Sequence, residues 1–164
     1  MKTSLLFEFT ADKVNNKILI KREFNADQDT VWDAFTKPEI LDIWWAPKPF
    51  ISKTKSMDFK EGGRRLYTMC GPNGEEYWDL ADYVSISPKT NFQYVDGFCD
   101  SEGNINTEFP QSNWNVDFLD QGSTTLVDIT ISYETLTDLE KIIELGFKEG
   151  FTLALNNLDE IFKK

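Results

Sequence analysis

The sequence predicts an α+β fold in which a curved antiparallel sheet wraps a long C-terminal helix, and three observations carry that expectation. Strand-like stretches succeed one another along most of the chain, with hairpin signals at Gly71-Pro72-Asn73-Gly74 and Asp120-Gln121-Gly122-Ser123. Two short helical runs interrupt them once, just after the first core strand. A single amphipathic segment then fills the C-terminus. Strands in series with one dominant helix place that helix over the concave face of the sheet. A lone helix gripped by a bent sheet leaves a gap, which is the natural place for a pocket.

The elements follow in order. Lys17–Phe24 alternates, with Ile18, Ile20, Arg22 and Phe24 on one face and Lys21 and Glu23 on the other, the period of a half-buried strand. A strand over Ser4–Thr10 precedes it through a turn at Lys13–Asn16. Asn25–Thr30 supplies helix-start residues, and Val31, Trp32, Ala34 and Phe35 recur at helical spacing up to the break at Lys37-Pro38. Pro38 suits a first helical turn and opens a second short helix that runs to about Trp44 and stops before Pro47 and Pro49. Strands are expected over Phe50–Phe59, Arg64–Cys70, Glu75–Ser87, Thr90–Phe98, Thr107–Leu119 and Thr124–Glu134. Thr137 reads as the start of a capping box, Thr-Asp-Leu-Glu, completed by Glu140. From there Leu139, Ile143, Phe147, Phe151, Leu155, Leu158 and Phe162 recur three and four apart, the stripe of one continuous helix.

Composition narrows the function. The 164 residues, without a composition break, suit one domain over 1–164. A net charge of −11 argues against nucleic acid and against anionic membrane surfaces. There is no apolar run of spanning length and no signal-peptide pattern at the N-terminus, so a cytoplasmic location is expected. The absence of histidine excludes Ser-His-Asp and Cys-His sites and removes the commonest general base. Cys70 and Cys99 are too isolated for a disulfide framework or a zinc site, and no phosphate loop or dinucleotide fingerprint is present, so no metal or cofactor is expected. Binding is favoured over catalysis. Thirteen Phe and five Trp supply enough flat apolar surface either to fill a thick core or to line a roomy pocket.

Beyond this pattern the chain resembles the START-like (SRPBCC, helix-grip) superfamily, and within it the activator of heat-shock protein 90 ATPase homologue group. The resemblance is carried, in order, by IKREFNADQDTVWDAFTKPEILDIWWAP, FKEGG, MCGPNGEEY, YVDGF and LGFKEGFTLALNNL, from Ile18 to Phe162. It implies a helix-grip fold with a ligand cavity between the sheet and the C-terminal helix. It also implies a small hydrophobic or amphipathic molecule as partner, with a chaperone as the rival partner and a cyclase or hydrolase on the same fold as the remaining alternative. Monomer and homodimer both stay open. Arg65 and Ala81 stand where the group would have an apolar residue and a glycine.

Three constellations are candidates for the cavity. Trp44 and Trp45 are adjacent, so one is expected to plug the core while the other lines or gates the cavity mouth, against the plainer reading of a packing anchor beside a partly exposed ring. Gly146, Gly150 and Ala154 lie four apart in the long helix, leaving either close approach to the sheet or free volume beside Phe147 and Phe151. If Met69 pairs with Tyr77 in the Gly71–Gly74 hairpin, then Tyr67 faces Asp79 and Arg65 faces Ala81, so that Arg65, Tyr67 and Met69 share a face with Asp79 within reach of Arg65. The alternative is a bulge that turns these charges to solvent. On the first reading Arg65, held by Asp79, points into the cavity and selects an anionic ligand.

Overall fold

Alternation in the central strands shapes the molecule, which is described for residues 4–163 in a computed structural model. The elements run β1 (Phe7–Asp12), β2 (Lys17–Phe24), α1 (Gln28–Thr36), α2 (Pro38–Trp44), β3 (Ile51–Met57), β4 (Arg64–Cys70), β5 (Glu76–Ser87), β6 (Asn91–Phe98), β7 (Ser112–Asp120), β8 (Thr125–Ser132), α3 (Leu136–Glu144) and α4 (Phe147–Ile161). The strands form one eight-stranded sheet in the order β1-β2-β8-β7-β6-β5-β4-β3, and each neighbouring pair is antiparallel. Register shifts at Thr54/Ser56 and at Tyr83/Ser85 add local twist, which bends the sheet into a trough.

The concave face is apolar because every second residue was. Ile18, Ile20 and Phe24 of β2 and Val127, Ile129 and Ile131 of β8 are fully buried. The other face keeps a small core of its own at β4–β5, where Leu66 and Leu80 are buried opposite each other. The loop after β6 crosses this face at Gly97, where a Cβ would lie 2.8 Å from Ile105 Cδ1.

The helices fill the trough. Asp27 caps α1, its side chain accepting from the Thr30 amide at 2.9 Å. Asn157 of α4 donates to the carbonyls of Trp44 and Ala46 and so ties α4 to the end of α2. Phe151, Ala154, Leu155 and Leu158 are the buried residues of α4.

Two expectations change here. The C-terminal helical segment is long but not one continuous helix: α3 ends at Glu144, Leu145 caps it, and Gly146 sits between α3 and α4 with φ +90°. That left-handed backbone, which a glycine adopts without Cβ penalty, turns the chain between the two helices. The apolar stripe hid the break because its spacing continues in phase across it. The cap of α3 also lies two residues earlier than the capping box suggested. Thr135, extended at φ −134°, accepts from the Asp138 amide at 3.1 Å, and Thr137 is already inside the helix. Thr135→Ala is therefore expected to cost about 1 kcal/mol, against less than about 0.5 kcal/mol for Thr137→Ala at an exposed helical position. Chemical denaturation of both variants checks this, and a larger loss from Thr137 would contradict the observed cap.

Candidate functional site

Between the sheet and the C-terminal helices lies a cavity of about 190 Å3. Its walls are aromatic. The indole of Trp114 lies 5.5 Å edge-on from Phe151, which stacks on Phe147 at 5.3 Å, and Trp45 closes on Phe151 at 5.5 Å. Trp45 is itself fixed by a hydrogen bond from its Nε1 to Tyr67 Oη at 2.9 Å. Pro47, Met69 and Ile142 complete the apolar lining, and Gly150 leaves the volume a side chain would fill.

The polar end of the cavity is built by the sheet register. Tyr67 pairs with Asp79, Ala81 pairs with Asp96, and Asp96 pairs with Ser112. Asp79 and Asp96 are therefore diagonal neighbours on one face, close enough for their carboxyls to share a hydrogen bond. Burial pushes the Asp79 carboxyl well above the usual carboxylate range, and the negative charge of Asp96 adds to the push. Burial raises Asp96 too, while hydrogen bonds from Asp79 and Ser112 and the charge of Arg65 oppose the rise. Like charges this close do not both ionise, so Asp79 holds the proton and donates it to Asp96. Asp79 Oδ1 is buried without a hydrogen-bond partner. Burial likewise raises Tyr67 and Tyr133, which keeps both phenols neutral at the cavity wall.

Of the residues singled out in the sequence, Trp45, Tyr67, Met69, Asp79, Phe147 and Phe151 line this cavity together. Trp44 does not. It is fully buried in the core, its Nε1 donating to the Ala34 carbonyl at 2.8 Å, because successive helical residues point about 100° apart and only one of the pair can face the cavity. Arg65 is also displaced from its expected role. The strand β4 runs without a bulge, so Arg65 does lie on the concave face and is buried at 3% exposure. Its partners, however, are Ser52 Oγ at 3.1 Å, Thr54 Oγ1 at 3.3 Å and Asp42 Oδ1 at 3.6 Å, not Asp79. The guanidinium lies over the Tyr67 ring at 3.8 Å and lines a narrower void behind that ring. Asp42 comes from α2, which no register argument within the sheet could have placed there.

Asp96, Ser112, Trp114 and Tyr133 line the cavity as well and were not singled out in the sequence. The signal was present for two of them: in YVDGF, Asp96 alternates with Tyr94 and Phe98, and in SNWN, Trp114 alternates with asparagines. Among the described residues no group of three or more Asp, Glu or Cys side chains converges to hold a metal ion, and no helix is long and apolar enough to cross a membrane.

The buried acid pair makes a pH prediction. The folded chain binds these protons more tightly than the unfolded chain, so their contribution is fully present in acid and is lost as pH climbs from the ordinary carboxylate range through the raised one. Asp12, Asp27 and Asp100 are shifted the other way, chiefly by hydrogen bonds from Asn15, Thr30 and Asn104, and cancel in a comparison of variants. Asp79→Asn keeps a donor toward Asp96 and removes the titration. Its stability relative to the parent is expected to rise as pH climbs above the ordinary carboxylate range. A difference that is flat with pH, measured by urea unfolding, would contradict the assignment.

A family model described as "Activator of Hsp90 ATPase homolog 1-like protein" matches residues 25–163. No curated protein matches the chain. Among solved structures, a protein of Mycobacterium smegmatis superposes with a TM-score of 0.88 at 26% identity, covering 96% of each chain. One of Arthrobacter aurescens does so with a TM-score of 0.90 at 25% identity, over 95% of this chain and 91% of that one. One of Staphylococcus epidermidis gives 0.82 at 26% identity, over 94% and 93%.

Proposed function

This chain belongs to the family of activator of Hsp90 ATPase homolog 1-like proteins, and on that premise we propose that it binds a small apolar or amphipathic molecule between the sheet and the C-terminal helices, without defined catalysis. The observation that carries this reading is the cavity itself, of about 190 Å3, with aromatic walls and a few convergent polar groups, the make-up of small-molecule sites. Its apolar walls favour a flat or aliphatic body, and a few polar groups gathered at one end favour a ligand with one polar terminus. Trp45, Phe147 and Phe151 sit where α2 and α4 meet the sheet, so a ligand there would touch all three layers.

The test is a fluorescence titration with naphthylethanol, a neutral aromatic alcohol, read through the cavity tryptophans. Gly150→Leu is the informative variant. A Cβ at Gly150 would have Pro47 Cγ at 3.8 Å as its nearest neighbour, an ordinary contact, and replacing a helical glycine gains up to about 1 kcal/mol. The larger side chain then occupies the cavity. The variant is expected to melt no lower than the parent and to bind at least about tenfold more weakly, a loss of 1.4 kcal/mol. Undiminished binding by the variant, or no binding by the parent, would overturn the reading.

A further inference from the structure

We propose that the cavity selects amphipathic amines, with the protonated nitrogen seated against Asp79 and Asp96 and the apolar body between Trp45, Trp114 and Phe151. The inference rests on the binding function proposed above and specifies the ligand's polar end.

Its first support is the carboxyl pair itself: Asp79, only 8% exposed, and Asp96, diagonal to it across β5 and β6, both line the cavity. Carboxyl oxygens in so apolar a setting favour a donor that a ligand brings. The second support is the charge of the pair. Two carboxyls sharing one proton carry a single negative charge, which one ammonium group neutralises. The third is the wall. Trp45, Trp114 and Phe151 line the cavity with the pair, and an apolar surround that excludes water strengthens a contact between an ammonium and a carboxylate, while the Tyr67 ring already carries the Arg65 guanidinium. A carboxylate placed there would meet Asp96 instead.

The groups facing the pair do not reverse this sign. Strand β4 contributes the Tyr67 phenol, and behind it Arg65, whose guanidinium is occupied by Asp42, Ser52 and Thr54. Strand β7 contributes Ser112, whose hydroxyl accepts from Trp114 Nε1. Tyr133 follows β8, and Cys99 follows β6 and is pushed up to about 11 by burial, so it stays a neutral thiol. From the helices come Ile142, Phe147, Gly150 and Phe151, all uncharged. The net charge of −11 also favours the approach of cations over anions to the protein as a whole.

Three probes of one shape test this on the full chain: naphthylethylamine, naphthylethanol and naphthylacetate. A charge-assisted hydrogen bond is worth about 10- to 100-fold in affinity, so the amine is expected to bind about that much more tightly than the alcohol, and the acetate more weakly than either. The amine's advantage is expected to fade on acidification as the pair takes up its second proton, with alcohol binding unchanged. In the double variant Asp79→Asn, Asp96→Asn the amine is expected to fall to the level of the alcohol. If alcohol or acetate binds the parent as tightly as the amine does, the amine preference is wrong and the cavity function stands. If none of the three binds, both fall. The comparison in the parent chain decides the matter even if the double variant does not fold.

Discussion

Ending the chain at Leu145, which removes α4, abolishes cooperative unfolding. Phe151, Leu155 and Leu158 are three large side chains of α4 buried against the sheet, each worth about 1.5–3 kcal/mol. Their sum of about 5–9 kcal/mol equals much of the roughly 5–15 kcal/mol that holds a domain together. The helix also carries Asn157, whose bonds to the carbonyls of Trp44 and Ala46 anchor the turn after α2. Without them the aromatic trough opens to water. The truncated chain is expected to show a broad, non-cooperative thermal trace and to bind a hydrophobic dye strongly. A cooperative melt near the full-length midpoint would mean that α4 is not what closes the sheet.

The second large effect separates two neighbours. Trp44→Ala is expected to cost about 3–5 kcal/mol, the range for deleting a large aromatic from a packed core, because the ring is fully buried against Phe35 at 4.9 Å and its Nε1 is bonded to Ala34. Trp45→Ala is expected to cost less than about 2 kcal/mol, since its half-buried ring borders open volume. Naphthylethanol binding is expected to follow the opposite order, with the Trp45 variant weakened at least about tenfold. Urea unfolding and titration of both variants check the two orders together. A Trp45 variant less stable than the Trp44 variant would place the wrong ring in the core.

Much of this was legible because strands advertise themselves by alternation. The run Arg64–Cys70 was legible from its alternation, and the pairing of Met69 with Tyr77, one of the readings that the hairpin left open, is the observed register. That register places Tyr67, Met69 and Asp79 on one face. The break at Gly146 was harder, since Phe147 and Phe151 keep the apolar spacing of α3 and only the glycine's positive φ separates the helices. Arg65 shows the limit most clearly. Its direction was set by its own strand, while its partners came from α2 and β3, near in sequence yet placed by tertiary packing. Asp96 was missed for a related reason: its nearness to Asp79 is a diagonal across two strands, visible only once the bulge at Tyr83/Ser85 fixes the register of β6.

The central claim is that the space between sheet and helices receives a ligand, and five indole N–H resonances report on it directly. Trp45 and Trp114 line the cavity, Trp32 is packed in the core, and Trp78 borders an adjoining groove with Tyr77 and Phe109, on the far side of Phe98 and Phe147. A proton–nitrogen correlation spectrum recorded while naphthylethanol is added is expected to move the Trp45 and Trp114 indoles saturably, with Trp32 and Trp78 unmoved. Shifts confined to Trp78 would locate binding on the outer surface, and five unmoved indoles would contradict the account.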